Sequence, residues 1–183
     1  MRLFTGIKLS DGVKSELEKL LRKLRPLARL NWSQVGNLHI TTKFIGDWPQ
    51  ERLEEVISAL RAVPAPGAIE IEVRGGLGWF PNPHVPRVFW AAVDASPGLK
   101  QLAADAGREL EKLGIRREDR PFSPHLTLAR IKPPAQVTGL RQAIAALDST
   151  GFGRFTATEH HLYLSERGPG GSIYTKLADF PLQ

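Results

Sequence analysis

The stretch LHITTKF, residues 38–44, holds a histidine and a threonine two positions apart in a run that otherwise has the composition of a β-strand. Because side chains alternate between the two faces of a strand, His39 and Thr41 share one face and their apolar neighbours share the other. The stretch therefore predicts a strand that is anchored in a core on one side and presents a polar pair on the other.

The same arrangement occurs a second time in PHLTLAR, residues 124–130. His125 and Thr127 share one face of a predicted strand, and two leucines share the opposite, apolar face. Each histidine could be an ordinary half-exposed strand residue, as most lone histidines are. Two matched pairs on two similar strands favour a functional role instead, although a motif this short needs its context to be specific.

Hydrophobic periodicity outside the motifs predicts the same order of elements in each half of the chain. The first half gives strand, helix, motif strand, helix and strand at Leu3–Leu9, Val13–Leu27, Leu38–Ile45, Gln50–Val63 and Ile69–Val73. A segment rich in proline and glycine follows at 75–86. The second half gives Arg87–Asp94, Gly98–Leu113, Pro124–Ile131, Gln136–Leu147 and strands near Thr156–Leu164 and Ile173–Phe180. We therefore expect an α+β protein of two sheet-and-helix lobes that face each other.

Composition restricts the classes of protein to which the chain can belong. Its 183 residues suffice for one domain with a real core, or for one unit of two similar lobes. The absence of cysteine excludes disulfides, thiolate zinc sites and a cysteine nucleophile. The first residues lack the apolar core of a signal peptide, and no apolar run approaches the roughly 18 residues that span a bilayer. We expect a soluble, cytoplasmic protein with no membrane partner, and a monomer as the default.

The chain is basic, with a net charge of +6 from 25 Lys+Arg and 19 Asp+Glu. A basic surface suits anionic ligands such as RNA or nucleotides. A net charge of this size is also ordinary for a soluble domain. Charge alone leaves both interpretations open.

The two motifs together suit general acid–base chemistry, in which one imidazole donates a proton and the other accepts one. A threonine hydroxyl beside each imidazole can donate to an anionic oxygen. A metal site would need three or four ligands, and neither motif has a further ligand at a suitable spacing. His160 and His161 would lie on opposite faces of one strand. The motifs favour in-line displacement at a phosphodiester without a metal: one imidazole activates water and the other protonates the departing oxygen.

Other candidates near the motifs have weaker support. Lys43 shares the face of the first motif and would contact phosphate, or be a solvated surface lysine. Arg130 lies on the face opposite His125 under strict alternation, so it reaches the site only if the strand twists or bulges. Phe122 would stack on a base or pack in the core. Weaker candidates are Arg87 and Trp32, and those expected to be structural or at the surface are Tyr174, His84, His160 and His161.

The ordered set of segments resembles the 2H phosphoesterase superfamily, which is named for two His-x-Thr/Ser-x motifs on pseudo-symmetric lobes. The similarity runs nearly end to end, through MRLFTGIKL, NLHITTKFIG, GLGWFPNPHVPRVFW, PFSPHLTLARI and HLYLSERGPGGSIYTKLADFPL. More narrowly, the chain is similar to the bacterial and archaeal RNA 2',3'-cyclic phosphodiesterases that were once named 2'-5' RNA ligases. One difference is Thr42, where the family usually has an apolar residue; alternation points its side chain away from the cleft.

The resemblance implies a single domain over residues 1–183, with two intertwined pseudo-symmetric lobes. Each lobe would be an antiparallel sheet with helices on its outer face, and the active-site cleft would lie between the lobes. The implied reaction opens 2',3'-cyclic phosphates of RNA ends or nucleosides to 2'-phosphomonoesters, with no metal or cofactor. His39 would be the proton donor to the 3' oxygen and His125 the proton acceptor from water, while Thr41 and Thr127 hold the phosphate oxygens.

Two alternatives to hydrolysis remain open at this point. The first is the reverse direction, in which tRNA halves are ligated through a 2'-5' bond. The second is an RNA- or nucleotide-binding module whose histidines are not catalytic. The natural RNA and its base preference do not follow from the sequence.

Overall fold

The computed structural model describes all of residues 1–183 and contains four α-helices and eleven β-strands. The helices are α1 (Asp11–Leu24), α2 (Leu53–Arg61), α3 (Gly98–Glu111) and α4 (Thr138–Ala145). The strands are β1 (Arg2–Lys8), β2 (Asn31–Trp32), β3 (His39–Asp47), β4 (Ile69–Glu72), β5 (Leu77–Phe80), β6 (Val88–Ala92), β7 (Asp94–Ala95), β8 (His125–Arg130), β9 (Arg154–Ala157), β10 (Glu159–Gly168) and β11 (Gly171–Pro181). None of the helices is long and apolar enough to cross a membrane.

Two four-stranded antiparallel sheets form the two lobes. The first sheet has the order β11-β10-β1-β3 and carries His39, and the second has the order β2-β8-β6-β5 and carries His125. A small third sheet, β7-β4-β9, was not predicted. The predicted α+β fold with two antiparallel sheets is confirmed.

The lobes do not coincide with the two halves of the chain. Strands β10 and β11, from the end of the chain, complete the sheet of β1 and β3, and β2 from the first half joins β8. Strand β4, predicted as the last strand of the first lobe, pairs with β7 and β9 instead. Alternation of side chains identifies strands, but their partners are set by contacts that are distant in sequence.

Two predicted elements end earlier or divide. The helix predicted to reach Leu27 ends at Leu24, because Pro26 lacks the backbone N–H that would continue it, and a short 3-10 turn follows. The strand predicted near Thr156–Leu164 is two strands, β9 and β10. Strands β2 and β5 were missed, since the first has two residues and the second lies in the segment rich in proline and glycine.

The helices cover the outer faces of the sheets. Helix α1 starts at Ser10, whose Oγ accepts a hydrogen bond from the Val13 amide, and its leucine stripe lies in one core cluster with Phe89 of β6 and Leu126 of β8. Helix α2 and the second half of α3 belong to a second cluster with residues of β1 and β10, whereas Leu99 and Leu102 of α3 lie in the first cluster. Burial of each leucine side chain stabilises the folded state by about 1.5–3 kcal/mol relative to leaving it exposed. The inner faces of the two sheets, which carry the histidines, are left to form the cleft.

Candidate active site

His39 is held in one tautomer by the backbone. Its Nδ1 lies 2.7 Å from the carbonyl oxygen of Asn37, and because a carbonyl only accepts, Nδ1 carries the proton. Nε2 lies 2.9 Å from Oγ1 of Thr41, which donates to it when the ring is neutral. The reactive nitrogen and the motif threonine are therefore adjacent.

His125 is held in the same way on β8. Its Nδ1 donates to the carbonyl oxygen of Ser123 at 2.8 Å, again a residue two positions earlier in the chain. The protein provides no hydrogen-bond partner for Nε2 of His125. Both motifs thus fix the tautomer through Nδ1 and leave Nε2 for chemistry.

A β-bulge on β8 decides where Arg130 points. The register of β8 against β6 slips after Thr127, which leaves Leu128 as the extra residue. Ala129 therefore turns into the core, where it is fully buried, and Arg130 is exposed. Its guanidinium is close enough to His39 for its charge to lower the pKa of that imidazole. The bulge meets the condition under which Arg130 was predicted to reach the site.

A bulge at the equivalent place on β3 moves Lys43 away from the cleft. The register against β1 slips after Thr41, with Thr42 as the extra residue. Lys43 is 4% exposed, and its Nζ donates to the carbonyl oxygen of Arg116 at 2.6 Å and lies 3.4 Å from Oε1 of Glu118. The predicted position of Lys43 beside the first motif is wrong, because strict alternation does not hold across a bulge.

Thr42 points away from the cleft, as predicted, into a buried polar cluster. Its Oγ1 lies 2.8 Å from both Oγ1 of Thr5 and Nε2 of His160. Burial, and then the charge of His161, lower the pKa of His160 to about 3, so this imidazole stays neutral. The cluster ties the bulge of β3 to β1 and β10.

Aromatic rings surround both catalytic candidates. His39 stacks on Phe4 with ring centroids 4.6 Å apart, and Tyr174 meets it edge-on at 5.2 Å. Phe80 meets His125 edge-on at 5.0 Å and packs on Trp90. The expectation that Tyr174 is structural or at the surface missed this contact, because β11 is far from the motifs in sequence.

The electrostatic environment lowers the pKa of His39. Burial is the largest cause, and the nearby Arg130 and His125 act in the same direction; the hydrogen bond to Asn37 opposes them. In the free protein His39 is therefore held toward its neutral form. Strands β3 and β8, which carry the two histidines, contact each other directly.

Gly6 makes room for the His39 ring. A Cβ at this position would lie 2.8 Å from the carbonyl oxygen of Ile40 and 3.3 Å from Cδ2 of His39. A glycine inside a strand can mark such a close approach, and this was the available signal in the sequence.

The remaining candidates lie outside the two motifs. Phe122 is half-buried and packs against the main core, and its stacking on a base stays a prediction. The backbone of Arg87 bridges β5 and the end of β8, through hydrogen bonds with Phe80 and Ile131. His84 lies exposed in a loop.

One group of possible metal ligands comes together on β10 and β11. Ligand atoms of Glu159, His161 and Asp179 lie within 4.8 Å of one another. Nδ1 of His161 lies 2.7 Å from Oδ1 of Asp179, and the ammonium of Lys176 lies 2.8 Å from the same oxygen. Lys176 thus supplies the positive charge that these groups favour, and it holds the pKa of Asp179 below its usual range. As predicted, His160 and His161 point to opposite faces.

Comparisons with known proteins identify the family of the chain. The model of the 2'-5' RNA ligase superfamily matches residues 13–169. A protein of Archaeoglobus fulgidus named RNA 2',3'-cyclic phosphodiesterase is 33% identical, over 98% of this chain and 99% of its own length. A Thermus thermophilus protein of the same name is also 33% identical, over 100% and 91% respectively.

Solved structures share the fold. A crystal structure of a protein from Thermus thermophilus superposes with a TM-score of 0.81 at 30% identity, over 100% of this chain and 98% of its own. LigT of E. coli, crystallised with 3'-AMP, gives a TM-score of 0.79 at 24% identity, with 98% of this chain and 97% of its own covered, and shows the fold alone. The chain belongs to the 2'-5' RNA ligase superfamily.

Proposed function

We propose that this chain is an RNA 2',3'-cyclic phosphodiesterase that opens the cyclic phosphate to a 2'-phosphomonoester by two-histidine general acid–base catalysis, without a metal. The observation that carries the proposal is the pair of imidazoles across the cleft. Each has its Nδ1 proton held by a carbonyl, and the two strands that carry them, β3 and β8, contact each other directly. The relatives named for this activity support the same reaction class.

In the proposed step, Nε2 of His125 takes a proton from water as the water oxygen attacks phosphorus. The bond from phosphorus to the 3' oxygen breaks, and Nε2 of His39 gives that oxygen its proton. A proton donor must be charged when substrate is bound, whereas His39 is held toward the neutral form in the free protein. The anionic phosphate of the bound substrate favours the protonated form of His39, because a nearby negative charge raises the pKa of an imidazole.

Thr41 has a linked role in this step. Its hydroxyl donates to neutral Nε2 of His39, but a protonated Nε2 becomes a donor itself. The Thr41 hydroxyl hydrogen is then released for a phosphate oxygen. Thr127, placed equivalently on β8, binds another oxygen, and Arg130 offsets the charge that develops on the phosphate.

The unit proposed to carry this reaction is the whole of residues 1–183. Each histidine lies in a different sheet, and the sheet of His39 is completed by the last two strands of the chain. A fragment with one motif would lack half of the acid–base pair.

The test is an assay with an RNA oligonucleotide that ends in a 2',3'-cyclic phosphate, in the presence of EDTA. We expect a 2'-phosphate product, with His39→Ala and His125→Ala each lowering kcat/KM by about 100- to 10,000-fold. His84→Ala is the matched control, because this imidazole lies exposed in a loop. Loss of wild-type activity in EDTA, or near-wild-type activity in either catalytic variant, would contradict the mechanism. RNA binding without turnover would indicate a binding module instead.

A further inference from the structure

A basic hollow lies at the outer edge of the second sheet, where the end of α1 meets β2. Its volume is about 450 Å3, and its charged lining residues are Arg25, Arg29 and Lys132, with no acidic residue among the lining. Trp32 and Leu30 provide apolar wall. The hollow is thus suited to an anion that also carries flat or apolar groups.

The hollow is continuous with the strand that carries the second motif. Strand β2 pairs directly with β8, and Asn31 of the hollow lies opposite Arg130. Neighbouring strands are about 4.8 Å apart, so one strand separates the hollow from the strand of His125. Lys132 follows Arg130 by two positions on the same segment. The segment that begins with β8 therefore carries one positive residue at its end, Arg130, and another in the hollow, Lys132.

The cations of the hollow are largely unpaired. Arg29 and Lys132 are exposed and form no salt bridge or side-chain hydrogen bond with the protein. Arg25 is half-buried and shares its guanidinium between Glu18, at 3.3 Å, and the carbonyl oxygen of Ser33, at 3.2 Å. Two of the three charges are therefore available to a ligand, while Arg25 is already oriented.

Trp32 contributes its ring rather than its N–H. Its Nε1 donates to the carbonyl oxygen of Ala28 at 3.0 Å, and the ring packs edge-on against buried Phe89. A half-exposed indole fixed in this way offers a surface for a base or a ribose, since stacking on aromatic rings tolerates any base.

A second hollow shows that this charge is not general to the surface. It has a volume of about 530 Å3, lies between α2 and α3, and is lined by Glu54, Glu55 and Glu109 with a single lysine. These helices cover the sheet of His39. One outer side of the molecule thus repels a polyanion, and the edge beside β8 attracts it.

We propose that the basic hollow binds the RNA chain that leads to the reacting end, so that the preferred substrate is an oligonucleotide rather than a free nucleoside cyclic phosphate. This inference rests on the proposed function, because it extends the substrate out of the same cleft. Phosphates of upstream nucleotides contact Arg29 and Lys132, and a base or ribose lies against Trp32.

The test compares two substrates in two charge-matched double variants. The substrates are an RNA decamer that ends in a 2',3'-cyclic phosphate and cytidine 2',3'-cyclic phosphate, each assayed from 50 to 200 mM NaCl. The test variant is Arg29→Ala with Lys132→Ala. The control is Arg61→Ala with Lys100→Ala, which removes the same charge from exposed, unpaired positions on α2 and α3.

We expect the test variant to lower kcat/KM for the decamer by about 10-fold or more at low salt, mainly through KM. The slope of log(kcat/KM) for the decamer against log[NaCl] should become shallower by about 1.4, because two phosphate contacts to a single strand contribute about 0.7 each. Activity on cytidine 2',3'-cyclic phosphate should stay at the wild-type value, and the control variant should keep both activities. An unchanged decamer activity, an equal loss on both substrates, or an equal loss in the control would overturn the proposal.

A failure of the proposed function would be visible separately. If the wild-type protein opens neither substrate, the hollow is tested by fluorescence anisotropy with a labelled decamer that ends in a 3'-phosphate. Weaker binding in the test variant than in the control variant would support the hollow as an RNA site without the reaction. Equal binding in the two variants would overturn it.

Discussion

Strands β3 and β8 place a histidine, a threonine and a bulge at equivalent positions, yet they turn different side chains to the cleft and to the core. After the bulge, the residue turned inward is Lys43 on β3 and Ala129 on β8. The next residue, turned outward, is Phe44 on β3 and Arg130 on β8. The two motif strands therefore share a backbone conformation, but they carry their charged residue on opposite faces.

This difference gives the two similar histidines different electrostatic surroundings. A guanidinium stands in the cleft on only one of the two motif strands, and its charge acts on the imidazole of the other strand, His39. His39 also stacks on buried Phe4. The positive charge of Arg130 therefore acts on the more desolvated of the two histidines. Burial and the charge of Arg130 therefore both lower the pKa of His39 in the free protein.

The strands next to the motifs differ in a second way. Opposite Thr41 the neighbouring strand has Gly6, whereas opposite Thr127 it has Trp90. Gly6 lets the His39 ring lie close against the backbone of β1. In the second sheet the space is instead taken by the Trp90 ring, which lies over Gly78. The residue paired with the motif threonine is therefore the smallest possible in the first sheet and a large aromatic residue in the second.

The largest expected effect separates the two histidines by pH. Besides the loss of about 100- to 10,000-fold in activity, each alanine variant should lose one limb of the bell-shaped profile of kcat/KM. His125→Ala removes the base, so residual activity no longer falls at acidic pH, and His39→Ala removes the acid, so it no longer falls at alkaline pH. Steady-state rates from pH 5 to 9 measure this. Loss of the opposite limbs would reverse the assignment, and loss of the same limb in both would break it.

The next largest effect is on stability and concerns the bulge of β3. The extra residue of this bulge, Thr42, is hydrogen-bonded to a titratable group, His160. His160 has a pKa of about 3 in the folded protein and an ordinary value of 6.5. The unfolded state therefore binds the proton first as pH falls below 6.5, and stability is lost until the pH approaches 3. The loss is about 3 kcal/mol between pH 7 and pH 4.

Urea unfolding at pH 7, 6, 5 and 4 tests this, with His160→Gln as the variant and His84→Gln as the control. His160→Gln should be less stable at pH 7, because it weakens the bond to Thr42, but its stability should fall less with pH. Parallel pH dependence in the variant and the wild type would show that His160 does not set the acid sensitivity.

How much of the site the sequence could predict is clear from these residues. His39, His125 and their threonines lie before the bulges, where alternation still holds, and their faces were predicted correctly. Lys43 and Arg130 lie after the bulges, and a bulge is defined by the register against a partner strand, which local sequence does not specify. Tyr174 and Gly6 were missed for a related reason, because their contacts with His39 depend on which strands are neighbours.

Gly6→Ala tests the difference between the sheets beside the motifs. The added Cβ would meet a backbone carbonyl at 2.8 Å, which cannot move aside as a flexible side chain would, and it would displace the His39 ring. We expect a loss of about 30-fold in kcat/KM, since misplacing a catalytic group by about 1 Å can cost about 100-fold. Gly12→Ala, on α1 with open space around it, is the control. Activity within about 2-fold of wild type in Gly6→Ala would show that the ring does not need this space.

The smallest effect, and the most direct test of the charge difference, is expected for Arg130→Gln. Loss of the cation that we propose to offset charge on the phosphate should lower kcat/KM by about 10-fold, near the low end for a hydrogen bond to a charged group. The same change should raise the pKa of His39, because the Arg130 charge is among the causes that lower it. The acid is active while protonated, so the alkaline limb of kcat/KM should move to higher pH as the maximum rate falls. NMR titration of the His39 ring checks the direction of the shift without substrate.

Phe44→Leu, at the equivalent position of β3, should leave both the alkaline limb and the His39 pKa unchanged. Equal shifts in the two variants would mean that the lobes differ in sequence but not in electrostatics.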